Sequence, residues 1–320
     1  MARSAWFSAL VALGLGVALA GCGEKKPVTD TGDWRSGIKE IRMAVSGSND
    51  DPRIVKRRSL YRDRLSEAIG LPVKLYESSD YNGVIQALSS GQVDLAQMAG
   101  GGYANVDAQI GPLAAPILTT RQAEGGTGYY STIVVRADSP IRSLADMKGR
   151  SLGYVDFNST SGYLVPRARL REEGIDPDTY FGKTSFAGGH TQAVMALANG
   201  QFDGAILQAS GGDPVNGFSR GALHTMARRK LVDLKDFRII WTAGPIPSEA
   251  FVVRTDRPQP LIDIVRGTMG ALPYDEPDLW VDIGQLDGSA YTSVTREHYK
   301  DIIALRAADI AQRRGQGGRP

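Results

Sequence analysis

Short apolar runs alternate along this chain with stretches whose apolar positions recur every three to four residues, and the two patterns mark strands and helices respectively. The first predicts strands over residues 41–45, 73–76, 131–136, 151–155, 238–242 and 251–254. The second predicts helices over 55–69, 83–90, 144–147, 162–173, 191–199, 261–272 and 296–312. Alternation of this kind implies α/β lobes with open sheets whose loops face a shared cleft. Asp138-Ser139-Pro140-Ile141 reads as the passage to a second lobe and Pro245-Ile246-Pro247 as the return, giving a first lobe of 38–137 plus 247–320 and a second of 138–246. Two such connections make a hinge suited to closure on a ligand.

The pattern also repeats. Residues 81–96 find an echo at 190–205, at a constant offset of 109: Ala87-Leu88-Ser89-Ser90-Gly91-Gln92-Val93-Asp94 matches Ala196-Leu197-Ala198-Asn199-Gly200-Gln201-Phe202-Asp203. Each copy reads as a helix ended by a C′ glycine, a tight turn, and a short strand entered through an aspartate. The repetition predicts that the two lobes carry related helix–strand units.

Candidate chemistry gathers at the helix starts. Asn158-Ser159-Thr160-Ser161-Gly162 lies between the strand at 151–155 and the helix at 162–173. Strand, hydroxyl turn and helix start form a geometry that holds an oxyanion, because the first N–H groups lack helical partners and the dipole favours negative charge. Such a run also serves as an ordinary N-cap. Tyr81 and His190 occupy equivalent positions in the two repeat copies, and Tyr129 and Tyr130 follow Gly125-Gly126-Thr127-Gly128. Packing explains any one of these residues alone; the symmetry of Tyr81 and His190 would aim both rings into one cleft. His190 is the one group here with an ordinary pKa near neutrality, so its protonation is expected to help select the ligand's charge state.

Other chemistries fit less well. A hydrolase built on Ser161 and His190 lacks an identifiable third group to orient the base. No His, Cys, Asp or Glu cluster has metal-ligand spacing, and Gly100-Gly101-Gly102 is not followed by the Gly-Lys-Ser/Thr of a phosphate loop. No cofactor or metal is therefore expected. The formal charge of +2 falls to +1 without residues 1–22, whose one charged residue is Arg3; so even a balance argues against nucleic acid as a partner. Residues 1–22 read as a lipoprotein signal peptide ending in Leu19-Ala20-Gly21-Cys22, with the lone cysteine as the lipidated residue and 23–37 as a flexible tether.

Asn49-Asp50-Asp51-Pro52-Arg53, Asp80-Tyr81, Ser159-Thr160-Ser161-Gly162-Tyr163-Leu164-Val165-Pro166 and Gly189-His190 together resemble the periplasmic phosphonate/phosphite-binding proteins of ABC importers, the PhnD-like family. The resemblance runs from about residue 41 to 299. It implies a two-lobed type II (Venus-flytrap) periplasmic binding protein with two hinge crossovers, delivering a phosphonate, phosphite or related phosphorus oxyanion to ABC permease subunits from the periplasm or cell envelope. It carries oxyanion-binding roles to Ser159, Thr160, Ser161, His190, Tyr81 and Tyr129, and an acidic role at the far end of the ligand to Glu249. Two departures stand out. Met98-Ala99-Gly100-Gly101-Gly102-Tyr103 replaces an aromatic turn, with Tyr103 the expected substitute ring, and Gln208-Ala209-Ser210 lacks a second acid seen in some aminoethylphosphonate binders. A lipoprotein that senses its ligand for a membrane kinase is the alternative to a transport role.

Overall fold

Two mixed sheets share one wiring plan in the computed structural model, which describes residues 32–46, 52–78, 80–282 and 289–316. Cys22, the signal segment, most of the tether and Asn49 to Asp51 lie outside the described residues. The strands run β1 (Ile41–Ser46), β2 (Val73–Ser78), β3 (Leu95–Met98), β4 (Ala114–Arg121), β5 (Gly128–Arg136) and β6 (Ser151–Tyr154), followed by β7 (Lys183–Phe186), β8 (Gly204–Asp213), β9 (Gly217–Gly221), β10 (Phe237–Pro247), β11 (Ala250–Arg254) and β12 (Ala290–Ser293). Between them lie α1 (Pro52–Ile69), α2 (Tyr81–Ser89), α3 (Gly100–Ile110), α4 (Val165–Glu172) and α5 (Pro177–Tyr180), then α6 (His190–Ala198), α7 (Ala222–Arg228), α8 (Gln259–Asp275), α9 (Pro277–Asp282) and α10 (Lys300–Gln316).

The first sheet has the order β12-β4-β11-β3-β1-β2, and the second β10-β5-β8-β6-β7 with β9 on β8. In the first, β1 pairs in parallel with β2 and β3, and β11 joins β3 antiparallel. In the second, β6 pairs in parallel with β7 and β8, and β5 joins β8 antiparallel. Parallel neighbours need crossover helices, and the two repeat helices supply them: α2 precedes β3, and α6 precedes β8.

The repeat reappears as a shared set of fastenings. Gly91 and Gly200 close their helices at φ +78° and +71°, a conformation glycine adopts without steric cost. Asp94 accepts from the backbone N–H of Arg42 on β1 at 2.7 Å, and Asp203 from that of Ser151 on β6 at 2.8 Å. Arg254, at the end of β11, donates to the helix-terminal carbonyl of Leu88 at 3.0 Å; Arg136, at the end of β5, donates to that of Leu197 at 3.1 Å.

The passage between sheets differs from the sequence expectation. β5 belongs to the second sheet along its whole length, pairing with β10 and β8, so the outward crossover is 122–127 and not Asp138–Ile141. The expected first-lobe stretch 38–137 thus gives up β5 to the second sheet. Residues 137–141 make a local turn at the end of β5, with Ala137 N–H bonded to Asp236 O at 2.8 Å and Ser139 N–H to Arg136 O at 3.3 Å. The return is at Ser248–Glu249, beside the outward strand: Ser248 N–H donates to Thr127 O at 2.8 Å.

Helix α3 was absent from the expectation because it opens on three glycines, which are poor helix formers. Burial holds it instead, with Tyr103, Ala104 and Val106 at 1% exposure or less. Tyr103 packs edge-on against Tyr299 at 5.5 Å within this helix layer. It is buried away from the cavity described below and does not replace a displaced ligand-facing ring.

Candidate ligand-binding site

The hydroxyl run is shaped by an irregular helix start. After β6 the chain enters a single π turn, Thr160–Leu164, which continues into α4. Leu164 N–H reaches back five residues to Ser159 O at 3.1 Å, a wide turn of the kind that recurs at functional positions. Ser159 Oγ caps the turn by accepting from Gly162 N–H at 3.0 Å. Gly162 is required by close approach: a Cβ there would lie 2.3 Å from Val155 Cβ. Ser131 Oγ donates to Ser161 O at 2.7 Å, fixing the turn against β5.

Around this turn lies a cavity of about 240 Å³. Tyr81 and His190, the first residues of α2 and α6, both line it, as do Tyr129, Ser159, Ser161 and Glu249. Asp80 sets the start of α2 by accepting from Gly83 N–H at 2.7 Å. Six of the seven expected site residues therefore meet in one place, drawn from segments as far apart as 81 and 249. Tyr129 and Tyr130 divide as strand neighbours must: Tyr129 faces this cavity, and Tyr130 packs on Phe218 at 5.2 Å.

Thr160 is the exception. It is fully buried, and its Oγ1 accepts from Gly101 N–H of α3 at 2.7 Å, so its hydroxyl joins the two halves and does not line the cavity. Beside it, Asn105 Nδ2 donates to Asn158 Oδ1 at 2.8 Å. A π turn rotates successive side chains by less than an α turn, and here it places Ser159 and Ser161 on the cavity with Thr160 turned toward α3.

Several lining residues were not singled out from sequence, namely Thr120, Gln122 and Ser248, while Gln208 and Ser210 stood out only for lacking an acid. One signal did exist. Ala99 and Gln208, both in the lining, keep the offset of 109, so extending the repeat past its strands marks them. Ser248 Oγ is buried without a partner among the described residues, a free hydroxyl at the cavity wall.

The electrostatics are those of neutral donors facing one acid. Among the described residues no lysine or arginine lines the cavity. Burial pushes the Tyr81 hydroxyl up to about 12, opposed by its contact with Ser159, and pushes Tyr129 higher, opposed by Ser161 and Thr160. Both phenols are therefore protonated donors at any physiological pH. Burial also lowers His190 to about 4, and its Nδ1 has no partner among the described residues. The imidazole is neutral near pH 7, contrary to the expectation that it titrates there.

Glu249 lies on the return crossover, its backbone O accepting from Thr119 Oγ1 at 2.9 Å. Enclosure by protein raises its carboxyl above the usual range, opposed by Gln97 Nε2, which donates to it at 3.2 Å. The side chain is exposed on the cavity side, and that exposure softens the effect. Among the described residues no His, Cys, Asp and Glu group could hold a metal ion, and no helix is long and apolar enough to cross a membrane.

Residues 43–299 match a family model described as ABC transporter, phosphonate, periplasmic substrate-binding protein. The chain belongs to that family. The phosphate-import protein PhnD of Mycolicibacterium smegmatis is 30% identical over 250 residues, covering 73% of this chain and 72% of the relative. The phosphonates-binding periplasmic protein of Escherichia coli is 29% identical over 220 residues, covering 68% of this chain and 61% of that protein. The structure of PhnD1 from Prochlorococcus marinus in complex with methylphosphonate is similar at a TM-score of 0.70 and 16% identity, over 83% of this chain and 97% of that one. Membership makes this chain a periplasmic substrate-binding protein that partners an ABC permease. The two sheets and paired crossovers are the type II arrangement of periplasmic binding proteins.

Proposed function

We propose that the chain captures a small phosphorus oxyanion, a short-chain phosphonate or phosphite in particular, for an ABC importer, with the oxygen face on Ser159, Ser161, Tyr81, Tyr129 and His190. The observation that carries this reading is the cavity itself: uncharged donors from both halves line it together, and among the described residues Glu249 is the one carboxylate in the same lining. A bond from a neutral donor to a charged acceptor contributes about 1.5–3 kcal/mol. Four or five of them, after desolvation and lost freedom, support submicromolar binding, which needs about 8 kcal/mol. Neutral donors also release their anion readily once the lobes part, as delivery to a permease requires.

Size and charge narrow the ligand. A cavity of about 240 Å³ corresponds to about eight water volumes, room for a tetrahedral oxyanion plus a short substituent. Glu249 favours an ammonium or a ligand O–H at the far end and disfavours a fully ionised oxygen there, so free phosphate dianion suits the site least. Two of the similar proteins support the class: the Prochlorococcus structure holds methylphosphonate, and the mycobacterial relative is named for phosphate import.

Calorimetry of the purified protein with aminoethylphosphonate, methylphosphonate, phosphite and phosphate tests the reading; no heat with any of the four overturns it. Glu249→Ala should weaken an ammonium-bearing phosphonate far more than methylphosphonate, and equal losses remove its selective role. Attachment through a lipid on Cys22 is part of the same proposal, supported by Leu19-Ala20-Gly21-Cys22. Cys22→Ala should move the protein from the membrane fraction to the soluble fraction.

A further inference from the structure

We propose that Arg220 is a positioning residue that limits ligand length, by holding Gln122 as a partition between the ligand cavity and a larger chamber behind it. The inference rests on the phosphonate reading above and concerns the same site. The second chamber, about 700 Å³, is bounded by the outward crossover, by Pro245 to Pro247 and by the β8–β9 hairpin. Among the described residues, Gln122 is the one common to the linings of both spaces. Elsewhere the wall is main chain. Tyr129 lines one space and Tyr130 the other, and Ser210 and Gly211 divide in the same way, as do Ser248 and Pro247. Main chain held in a sheet or crossover yields only at high cost, whereas a single glutamine side chain can be moved.

Gln122 is not left to move freely. Arg220 Nη2 donates to Gln122 Oε1 at 3.0 Å and to both carboxylate oxygens of Glu124 at 3.0 Å. The guanidinium lies close over Gly211, where a Cβ would come within 2.8 Å of Nε and 2.9 Å of Cζ. Gly211 has φ +70°, so both its conformation and its missing side chain let the arginine lie there. One nitrogen, Nη2, thus ties the glutamine to Glu124 on the crossover and to the hairpin that carries Arg220. The chamber behind is lined by Tyr130, Ile246 and its flanking prolines and by four glycines, with Glu124, Asp213 and Arg220 as its charged groups. Its apolar side, Tyr130 with Pro245 to Pro247, can receive an alkyl chain. The ligand class admitted on release of the partition is therefore a phosphonate with a longer carbon substituent, the oxyanion end staying where it was.

The test is calorimetry on the whole protein with methylphosphonate and n-hexylphosphonate, for the natural chain, Arg220→Ala and Gln122→Ala. The natural protein should prefer methylphosphonate by at least about 100-fold, since n-hexylphosphonate adds several methylenes and a single misfit one costs about 10–200-fold. Arg220→Ala should narrow that ratio at least about tenfold while leaving methylphosphonate affinity within about threefold, which general loosening of the fold would not do. Gln122→Ala should narrow it as well, and decides the matter if Arg220→Ala does not fold. Equal binding of both ligands by the natural protein overturns the proposal, as does an unchanged ratio in the folded variants. Should the natural protein bind neither phosphonate, the functional reading fails first and takes the length limit with it.

Discussion

The helix–strand units at 81–96 and 190–205 are alike at one end and unlike at the other. At the C-terminal end of each helix, the glycine, the aspartate that bonds to the neighbouring parallel strand and the arginine on the antiparallel strand recur one for one. At the N-terminal end, Tyr81 stands where His190 does, and Ala99 where Gln208 does. The hydroxyl turn belongs to the second half, at the end of β6, while the stretch after β1 in the first half, 47–51, lies outside the described residues. The acid, Glu249, sits just ahead of β11 in the first sheet. Scaffolding is thus duplicated where the sheets must be fastened, and the chemistry diverges where the two halves face each other. Unlike surfaces facing one cavity can distinguish the two ends of a ligand, which two identical halves would not.

Four tests, the second a matched pair of arginine variants, bear on that division. Ser159→Ala with Ser161→Ala should have the largest effect: two donors to a charged acceptor, each contributing about 1.5–3 kcal/mol, amount to a loss of at least about 100-fold in affinity. A loss below about tenfold in calorimetry would show that the second half does not hold the anion. Next, Arg254→Met should destabilise by about 2–3 kcal/mol in urea unfolding, because the helix carbonyls of Leu88 and Ser89 lose their donor in a buried setting. Arg136→Met should cost less, since its side chain is 28% exposed against 10% for Arg254; the reverse order would mean the two fastenings are not equivalent. Neither change should alter ligand affinity.

Gly101→Ala comes third. Its Cβ would meet Asn158 O and Thr160 Oγ1 at 3.0 Å across the junction of the halves, while alanine favours the helix itself. Affinity should therefore fall by about tenfold, the cost of slight overpacking in the closed state, with an unchanged or higher melting temperature. A fall in both would place the damage within α3. The smallest effect is that of pH. His190 binds its proton at about 4 when folded and near its ordinary 6.5 when unfolded, so the unfolded chain takes up more protons between those values and stability drops as pH falls through them. Thermal melts of His190→Gln should lack this part of the acid slope; an identical slope would show that the imidazole is not desolvated.

Much of this was legible in sequence. The offset of 109 disclosed the paired units, because helix period, C′ glycine and entering aspartate are local signals. The same offset aligned Tyr81 with His190. What stayed hidden involved partners distant in the chain. Arg254 reaches a helix 166 residues away, and nothing in its own neighbourhood announces that. The outward crossover was misplaced because Ser139-Pro140 marks a turn equally well inside a lobe or between lobes, and only pairing with β10 and β8 assigns β5. Thr160 was grouped with its flanking serines because sequence shows hydroxyls and not the direction in which a π turn aims them.

By itself, then, the sequence determined the α/β alternation, the duplicated unit and the kinds of group offered to a ligand, since these follow from periodicity, backbone preference and side-chain chemistry within a few residues. Tertiary structure alone decided which of those groups share an enclosure, that His190 is held neutral, that Thr160 serves the junction of the halves, and that Gln122 stands between two chambers. Each of those outcomes depends on desolvation and on contacts between segments remote in the chain, and such contacts exist only once the two sheets have packed.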